Sequence, residues 1–573
     1  MSRLQNHAAG RGAVNRIGPR KARAKETGSM RTAFLCGILL VILATTAFGG
    51  WVFEADHDTP PPDEPWGDEF LPTDHLLYRD LERLAIRGEM PLAAWTLRSL
   101  PRLELAWMSR NLVDDGGLSP SRDRLERTLA REGRALGRES RFHETAPLIE
   151  ALTSAGRLRI RPYIHLTPRL TIPLADGKAD GDWSDSTRIG LRGTLYLGRS
   201  ITISHDVFVG EVAGGRGFSD PLVAGTDILF YTERFDLTLR TPRIDFRFGR
   251  DRHRWGPGAW GTLLLDDHSA PYTFAQYDVE FKPWFRFRAL SGSLDYSDGK
   301  YLAAHRLSWT PSPRFELSFS EGARYQSTSP GLLYTLGFIP YTFVERMRMQ
   351  DAGNDASRRS ERNNVLWALG WSWRTRPAQL FYGEILADDI ASKDSHTPSR
   401  WGFLGGYSFA PRFNGWDWTL GVEASKIFNY TYSVYYRDQC LCDWDHQERG
   451  LGHPDGPDSE RLLLRALVDF NTAWGCDAMV TLFRHGQGAL GRPWYPSTDP
   501  ESEGQPSSAS ELWDPVTGGA SLQTRVRWEP RDNLAASFGL AYSTVRLPAG
   551  DSAGDSKETR RSVGLEFALK VHL

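Results

Sequence analysis

From Gly156 onward, apolar and polar residues alternate with a period of two, as in Ile244-Asp245-Phe246-Arg247-Phe248, Phe285-Arg286-Phe287-Arg288 and Val526-Arg527-Trp528. Successive side chains of a strand point to opposite faces, so each run predicts a strand with one apolar and one ionic face. A soluble sandwich and a membrane barrel share this pattern. In the first the ionic face meets water outside; in the second it lines the lumen while the apolar face meets lipid.

Connection lengths separate the two. Tight turns at Arg199, Thr241-Pro242, Lys282-Pro283, Pro311-Ser312-Pro313, Thr375-Arg376, Pro411-Arg412, Trp474-Gly475 and Pro530-Arg531 alternate with long polar loops. Those loops cover 175–186, 210–225, 251–271, 327–360, 387–400, 432–459, 486–519 and 548–558, and a shorter connection near Ser297 is the exception. Short turns on one side and long loops on the other are the habit of outer-membrane barrels. With both chain ends on the short-turn side, the alternation predicts a mainly β fold. It is a transmembrane antiparallel β-barrel of about eighteen strands over 156–573. Val563, Leu565, Phe567, Leu569, Val571 and Leu573 alternate strictly with Ser562, Gly564, Glu566, Ala568, Lys570 and His572 and predict the closing strand. The barrel assembly machinery is the expected partner in biogenesis; it generally favours a terminal aromatic, from which Leu573 departs.

Upstream the period changes. Leu77, Leu81 and Leu84 recur at helical spacing, with Thr73 or Asp74 as N-cap and Gly88 as C-terminal cap. Residues 103–112 and 122–136 repeat the pattern, so 73–150 reads as a short periplasmic helical segment. Its many charges leave little to bury by itself, and it is expected to pack on the periplasmic mouth of the barrel. Residues 50–72, with Pro60-Pro61-Pro62, read as an extended linker. A basic stretch and the apolar run Thr32 to Phe48 make 1–49 a leader and signal peptide, in which Met30 is a candidate true start. An uncleaved anchor helix is the alternative, for which the run is marginal in length.

Composition then narrows the function. The 573 residues carry a formal net charge of -2 and are 40% hydrophobic and 12% aromatic, with mean hydropathy -0.43. That polarity excludes a polytopic helical membrane protein. The charge balance argues against nucleic acid as a partner, and the aromatic content suffices for girdles at the membrane boundaries. Outside the leader, Cys440, Cys442 and Cys476 would reach an oxidising compartment; a loop disulfide is open, with its pairing unassigned. Cys440-Leu441-Cys442-Asp443-Trp444-Asp445-His446 imitates a metal site but has no second ligand pair at zinc-finger spacing, so no metal or cofactor is expected. No Gly-x-Ser-x-Gly elbow is present. Gly550-Asp551-Ser552 and Asp267-His268-Ser269 are matches that chance supplies often, so no catalytic residue is expected.

The chain resembles the Wzi-like capsule-assembly family. The resemblance rests on His75-Leu76-Leu77-Tyr78-Arg79-Asp80-Leu81-Glu82-Arg83-Leu84, on Arg254-Trp255-Gly256-Pro257-Gly258 with Gly261-Thr262-Leu263-Leu264-Leu265, and on Gly450-Leu451-Gly452-His453-Pro454-Asp455-Gly456-Pro457-Asp458. Tyr382-Gly383-Glu384 with Asp388-Asp389 also fits. The resemblance implies an eighteen-stranded outer-membrane barrel with periplasmic helices. It further implies a non-enzymatic surface lectin that retains or organises capsular polysaccharide. The extension before Met30, the Cys440-Leu441-Cys442 loop and Leu573 depart from the family pattern.

A glycan binder needs aromatic faces for sugar rings and fixed polar groups for hydroxyls and acidic substituents. Candidates in the long loops are Trp255, Trp260, Asp443, Trp444, Asp445, Arg492, Trp494, Tyr495 and Trp513. The structural alternative is that these residues only pack the loops over the barrel mouth. Gly256, Pro257, Gly258, Gly452, Gly456 and Pro457 read as shape elements, with Asp458 tying its loop through its own backbone. Inward-facing Arg243, Arg247, Arg286, Arg288, Arg525 and Arg527 are either a basic strip for an anionic glycan or half of a salt-bridge network, which nearby Asp245 and Glu529 favour. The apolar run Leu332 to Ile339 is expected to fold inward and narrow the lumen. A porin or substrate-selective channel is the second function class that the pattern permits.

Overall fold

The computed structural model describes residues 51–54, 69–71, 75–109, 119–130, 147–152, 156–174, 182–198, 200–211, 228–241, 244–282, 284–352, 363–391, 397–434, 442–447, 449–492, 494–495, 505–506, 508–531, 533–547 and 558–572. The leader, Thr73, Asp74, Arg243, Cys440, Ser552 and Leu573 lie outside them, and with them the expectations that rest on these residues.

Eighteen antiparallel strands close into a barrel in which strands neighbour each other in chain order. Closure is made where Thr559–His572 meets the first strand, with Leu569 opposite Leu166 and His572 opposite Tyr163. Higher up, Val563 lies opposite Ile172 and Glu566 opposite Arg169, on the continuation Pro168–Pro173. The alternation of short turns and long loops holds around the barrel, with shifts of a residue or two. Trp474-Gly475 opens its strand rather than turning, and Thr375-Arg376 closes one. A register shift between Arg374 and Arg376 carries pairing past the predicted turn, as a bulge does at a strand end.

The barrel is apolar outside and ionic inside. Trp373 and Phe538 stand 53% and 55% exposed on the outer face, whereas Arg247 and Asp469 inside are 1% and 0% exposed. An exposed belt of Phe281, Trp284, Trp309, Trp416, Trp474 and Trp528 follows the short-turn ends of the strands, the position of an interfacial girdle. Among the described residues no helix is long and apolar enough to cross a membrane.

Among the described residues four helices precede the barrel: α1 (Leu77–Arg87), α2 (Ala93–Thr96), α3 (Arg102–Met108) and α4 (Pro120–Thr128). Gly88 closes α1 in the left-handed conformation, φ 88°, as its position predicted. At the other end Leu76 is the N-cap residue and makes no side-chain cap. Helix α4 opens at Pro120, with Ser119 accepting from the Arg122 N–H. The helices do not rest on the mouth. They are inserted in the lumen at its short-turn end, where Arg87 donates to the Ala410 carbonyl (2.9 Å) and Arg127 to that of Pro530 (3.2 Å).

Charge complementarity is the reason. The charges spaced between the apolar positions of α1 and α4 meet the ionic inner wall. Asp469 accepts from Arg83, from Arg124 at 2.5 Å and from Arg527 at 2.8 Å. Arg79 pairs with Glu529 at 3.0 Å and Arg87 with Asp417 at 2.8 Å. Of the two readings of the inward arginines, the salt-bridge network is the one found: Arg247 is held by Asp236 and Asp251, Arg286 by Glu104, Arg288 by Asp278 and Arg525 by Glu566.

From the opposite end the loop 252–271 folds down to meet the helices. Trp255 bridges to Leu97, and the Gly256 N–H donates to the Thr96 carbonyl at 2.9 Å. One buried core joins Leu81, Leu84 and Leu105 to Trp255, Leu263, Tyr382 and Trp444. The hydrophobic core of this protein thus sits inside the barrel, within a ring of ion pairs.

The run Leu332 to Ile339 does not fold inward. It forms α5 (Leu332–Leu336) and the turn into α6 (Tyr341–Ala352). Both pack on the outer face of the wall, covering Tyr301, Ala303, Ala323 and Tyr325. Tyr325 and Tyr334 stack at 4.1 Å. Beneath the pair lies Glu321, a carboxylate on the lipid side of its strand, which hydrocarbon alone would not tolerate. Glu321 accepts from the backbone N–H of Tyr341 (2.8 Å) and Thr342 (3.0 Å) at the start of α6, and from Trp367 Nε1 (2.9 Å). That need for partners draws the hairpin outward.

Candidate functional site at the barrel mouth

The loop 252–271 is held by carboxylates from the wall. Glu384 accepts from the Leu263 N–H (2.7 Å), and Glu423 takes the N–H groups of Ala259 (2.5 Å) and Trp260 (2.9 Å). Gly256 makes this approach possible: its φ is 147°, and a Cβ there would fall 1.7 Å from Glu384 Oε1. Arg254 contacts Asp266 (3.4 Å) and Asp267 (3.2 Å) and donates to the Gly258 carbonyl (2.6 Å). Burial opposes ionisation of Asp266, but Arg254 and His268 beside it outweigh that and hold its carboxyl below the usual range. Trp255 is 1% exposed at the centre of the plug, so its expected role as a sugar platform is corrected to a packing one. Asp267, His268 and Ser269 make no triad: the His268 ring contacts Asp266, and the Ser269 hydroxyl donates to the Ala270 carbonyl.

The described parts of a later long loop, 428–434, 442–447 and 449–458, lie over this one. Trp444 is 0% exposed and donates from Nε1 to the Leu264 carbonyl at 2.8 Å; it too is a packing residue rather than a binding face. Tyr432 donates from its hydroxyl to the Leu263 carbonyl (2.6 Å), and Gly452 lies against its ring. Asp443 accepts from the Val434 N–H (2.8 Å), and burial pushes its carboxyl up to about 7. Asp445 is half-buried in a short ladder with Gly450. Asp458 does not tie its own loop. With φ 59°, it turns its carboxylate to the N–H groups of Gly488 (2.7 Å) and Trp513 (3.2 Å), stapling the loop 486–516 to its neighbour.

That staple assembles the group the sequence singled out. Arg492 lies over the Trp513 ring at 3.5 Å, and Tyr430 packs nearby at 6.1 Å. Trp494 packs on this cluster, and Gln505 ties it to Tyr495, donating to the Tyr495 carbonyl (3.0 Å) while accepting from the Tyr430 hydroxyl (2.7 Å). Arg492, Trp494 and Tyr495 remain half-exposed above buried Trp513. Asp443 borders Gly491 and so flanks the same face.

Trp260 lies deeper. Arg461 stacks on its ring at 4.4 Å while donating from Nε to Asp455 at 2.6 Å. Trp260 borders a cavity of about 440 Å³ beside the plug, lined also by Arg169, Asp477, Gln523, Arg525 and Glu566. Tyr430, Arg461 and Gln505 were not singled out from the sequence, and Asp455 stood there only within the run quoted for the resemblance. Only Arg461 carried a signal, its inward register on Ser459–Asp469. Among the described residues no three metal-ligating side chains converge.

No family model matches the chain, and no curated protein matches it in sequence. Among solved structures it is similar to Wzi, an outer-membrane protein involved in group 1 capsule assembly in Escherichia coli and described as a carbohydrate-binding β-barrel. The TM-score is 0.56 at 15% identity, over 87% of this chain and 99% of that one. It is also matched to OpdQ of Pseudomonas aeruginosa, with TM-score 0.39 at 7% identity over 73% and 97% of the two chains. A further match is OccK11 (OpdR) of the same organism, with TM-score 0.37 at 12% identity over 72% and 96%. The likeness to Wzi and the closed eighteen-stranded wall agree: this chain has the outer-membrane β-barrel fold.

Proposed function

We propose that the protein is a non-enzymatic barrel of the Gram-negative outer membrane that binds surface or capsular polysaccharide with its loop end and serves capsule assembly. On this reading the leader directs export, lipid surrounds the wall, and α1 to α4 enter the lumen from the periplasmic side. The observation that carries it is the pairing of a filled lumen with a half-exposed face of Arg492, Trp494 and Tyr495 over Trp513. A lumen packed with its own chain suits retention at the surface better than passage. Wzi, similar in fold, is described as carbohydrate binding, which supports the same reading. The guanidinium suits carboxylate or phosphate substituents of an acidic glycan, and the aromatic rings suit sugar faces.

Glycan-array binding of refolded protein tests it. Acidic capsular glycans should bind, and the double substitution Arg492→Ala with Trp494→Ala should weaken binding by about 10-fold or more, as loss of clustered aromatic and charged contacts does. Unchanged binding by that variant would move the site elsewhere, and no binding to any capsular glycan would end the lectin reading. A substrate-selective channel is the second reading, favoured by the 440 Å³ cavity that runs beside the plug among polar side chains.

A further inference from the structure

On the outer wall, strands Ser459–Asp469, Trp474–His485, Thr517–Arg531 and Leu534–Arg546 lie side by side. Ser521, Gln523 and Arg525 line the lumen cavity, so Gly518, Ala520 and Leu522 of the same strand face outward. Their cross-strand partners face outward with them. Gly518 lies between Arg484 and Arg546, Ala520 between Leu482 and Thr544, and Leu522 between Val480 and Tyr542. The missing side chain of Gly518 and the short one of Ala520 cut a groove of about 520 Å³ into the wall.

The depth of the groove follows from the strand. Gly518 and Trp528 are ten residues apart, and Trp528 belongs to the aromatic belt at the short-turn end. At ~3.4 Å per residue and a tilt of roughly 40°, that separation spans about 25 Å, the height of the apolar band of such barrels. Gly518 with its two arginines therefore sits at the outer boundary, and the trough of Ala520, Leu482 and Leu462 descends into the hydrocarbon. The arginines are two strand spacings apart, about 10 Å, within reach of one anion between them. Arg484 touches Glu460 at 3.2 Å yet leaves its side chain 63% exposed, and Arg546 makes no ion pair among the described residues. Arg561, opposite Thr544, adds a third cation one step away.

We infer that this groove binds a phosphate-bearing acylated glycolipid of the outer leaflet, its phosphate between Arg484 and Arg546 and one acyl chain along Ala520, Leu482 and Leu462. Charge complementarity selects the head and the apolar trough selects the tail, whereas a free polysaccharide would fill only the upper half. The inference rests on the reading of the barrel as membrane-spanning and is independent of glycan binding at the loops.

Native mass spectrometry of the detergent-solubilised full chain tests it, with a bis-phosphorylated, multiply acylated diglucosamine as probe and its dephosphorylated form as control. The phosphorylated probe should bind about 10-fold better than the control. Arg484→Ala with Arg546→Ala should remove most of that difference. Ala520→Leu, which fills the trough while keeping both guanidiniums, should weaken binding of either form. Equal binding of the two probes, or undiminished binding by the arginine variant, would overturn the assignment, as would equally tight binding of zwitterionic phosphatidylethanolamine. Failure of the membrane reading looks different: the chain would not enter vesicles at all.

Discussion

Replacing Asp469 by leucine is expected to destabilise the folded barrel by about 3–5 kcal/mol, the cost of leaving buried charge uncompensated. Asp469 is 0% exposed and accepts from Arg83, Arg124 and Arg527, so one substitution takes a carboxylate partner from three guanidiniums on two helices and a strand. Arg124 keeps Asp80 at 2.9 Å and Arg527 keeps Asp477 at 2.8 Å, but Arg83 keeps only Asp80 at 3.9 Å among carboxylates. Urea unfolding in detergent, followed by loss of the compact form on unboiled gels, measures the effect. The surface pair Glu558 and Arg560 is the contrast: both side chains are solvent-exposed at the loop end, and removing Arg560 should leave the midpoint where it was. If Asp469→Leu were equally silent, the ring of ion pairs would not be what seats the helices.

The second large effect concerns permeation. Excision of residues 75–130 should turn a barrel with little or no stable conductance into one with large, stable single-channel steps in planar bilayers. Eighteen strands enclose a lumen wide enough for an aqueous channel unless something fills it. Here α1 to α4 fill it from one end and the loop 252–271 from the other, joined at Leu97 and Trp255. Without the helices that loop loses its packing partner, and the inner wall is left to water. Large steps from the intact chain would favour the channel reading and make the cavity beside the plug a path.

What could be read from the sequence was what strand periodicity and loop phase encode. The closing strand, with Val563 to Val571 outward and Ser562 to His572 inward, was visible as strict alternation, and its closure on Tyr163 and Leu166 follows once the barrel is closed. The side on which the segment Leu332 to Ile339 packs was not visible. It depends on Glu321, a charge at a lipid-facing position whose cost appears only when the register is known. Helix α1 was legible as a helix expected to pack on the barrel, but the partners of its charges were not legible, because residues such as Asp469 lie hundreds of positions away. For the candidate site, Arg492, Trp494, Tyr495 and Trp513 were found because they crowd one loop. Trp444 and Trp255 misled for the same reason: a loop tryptophan looks alike whether it faces a ligand or a core. Arg461 and Asp455 join Trp260 only through the fold.

All of this depends on a wall whose greasy side meets lipid while its ionic side is sealed around the chain's own helices. Extraction of membranes from expressing cells, with gels run before and after boiling, tests that most directly. The protein should stay with the outer membrane through high salt and alkali and migrate as a compact form until boiled. Recovery of a soluble, detergent-free monomer with no boiling-dependent shift would contradict it.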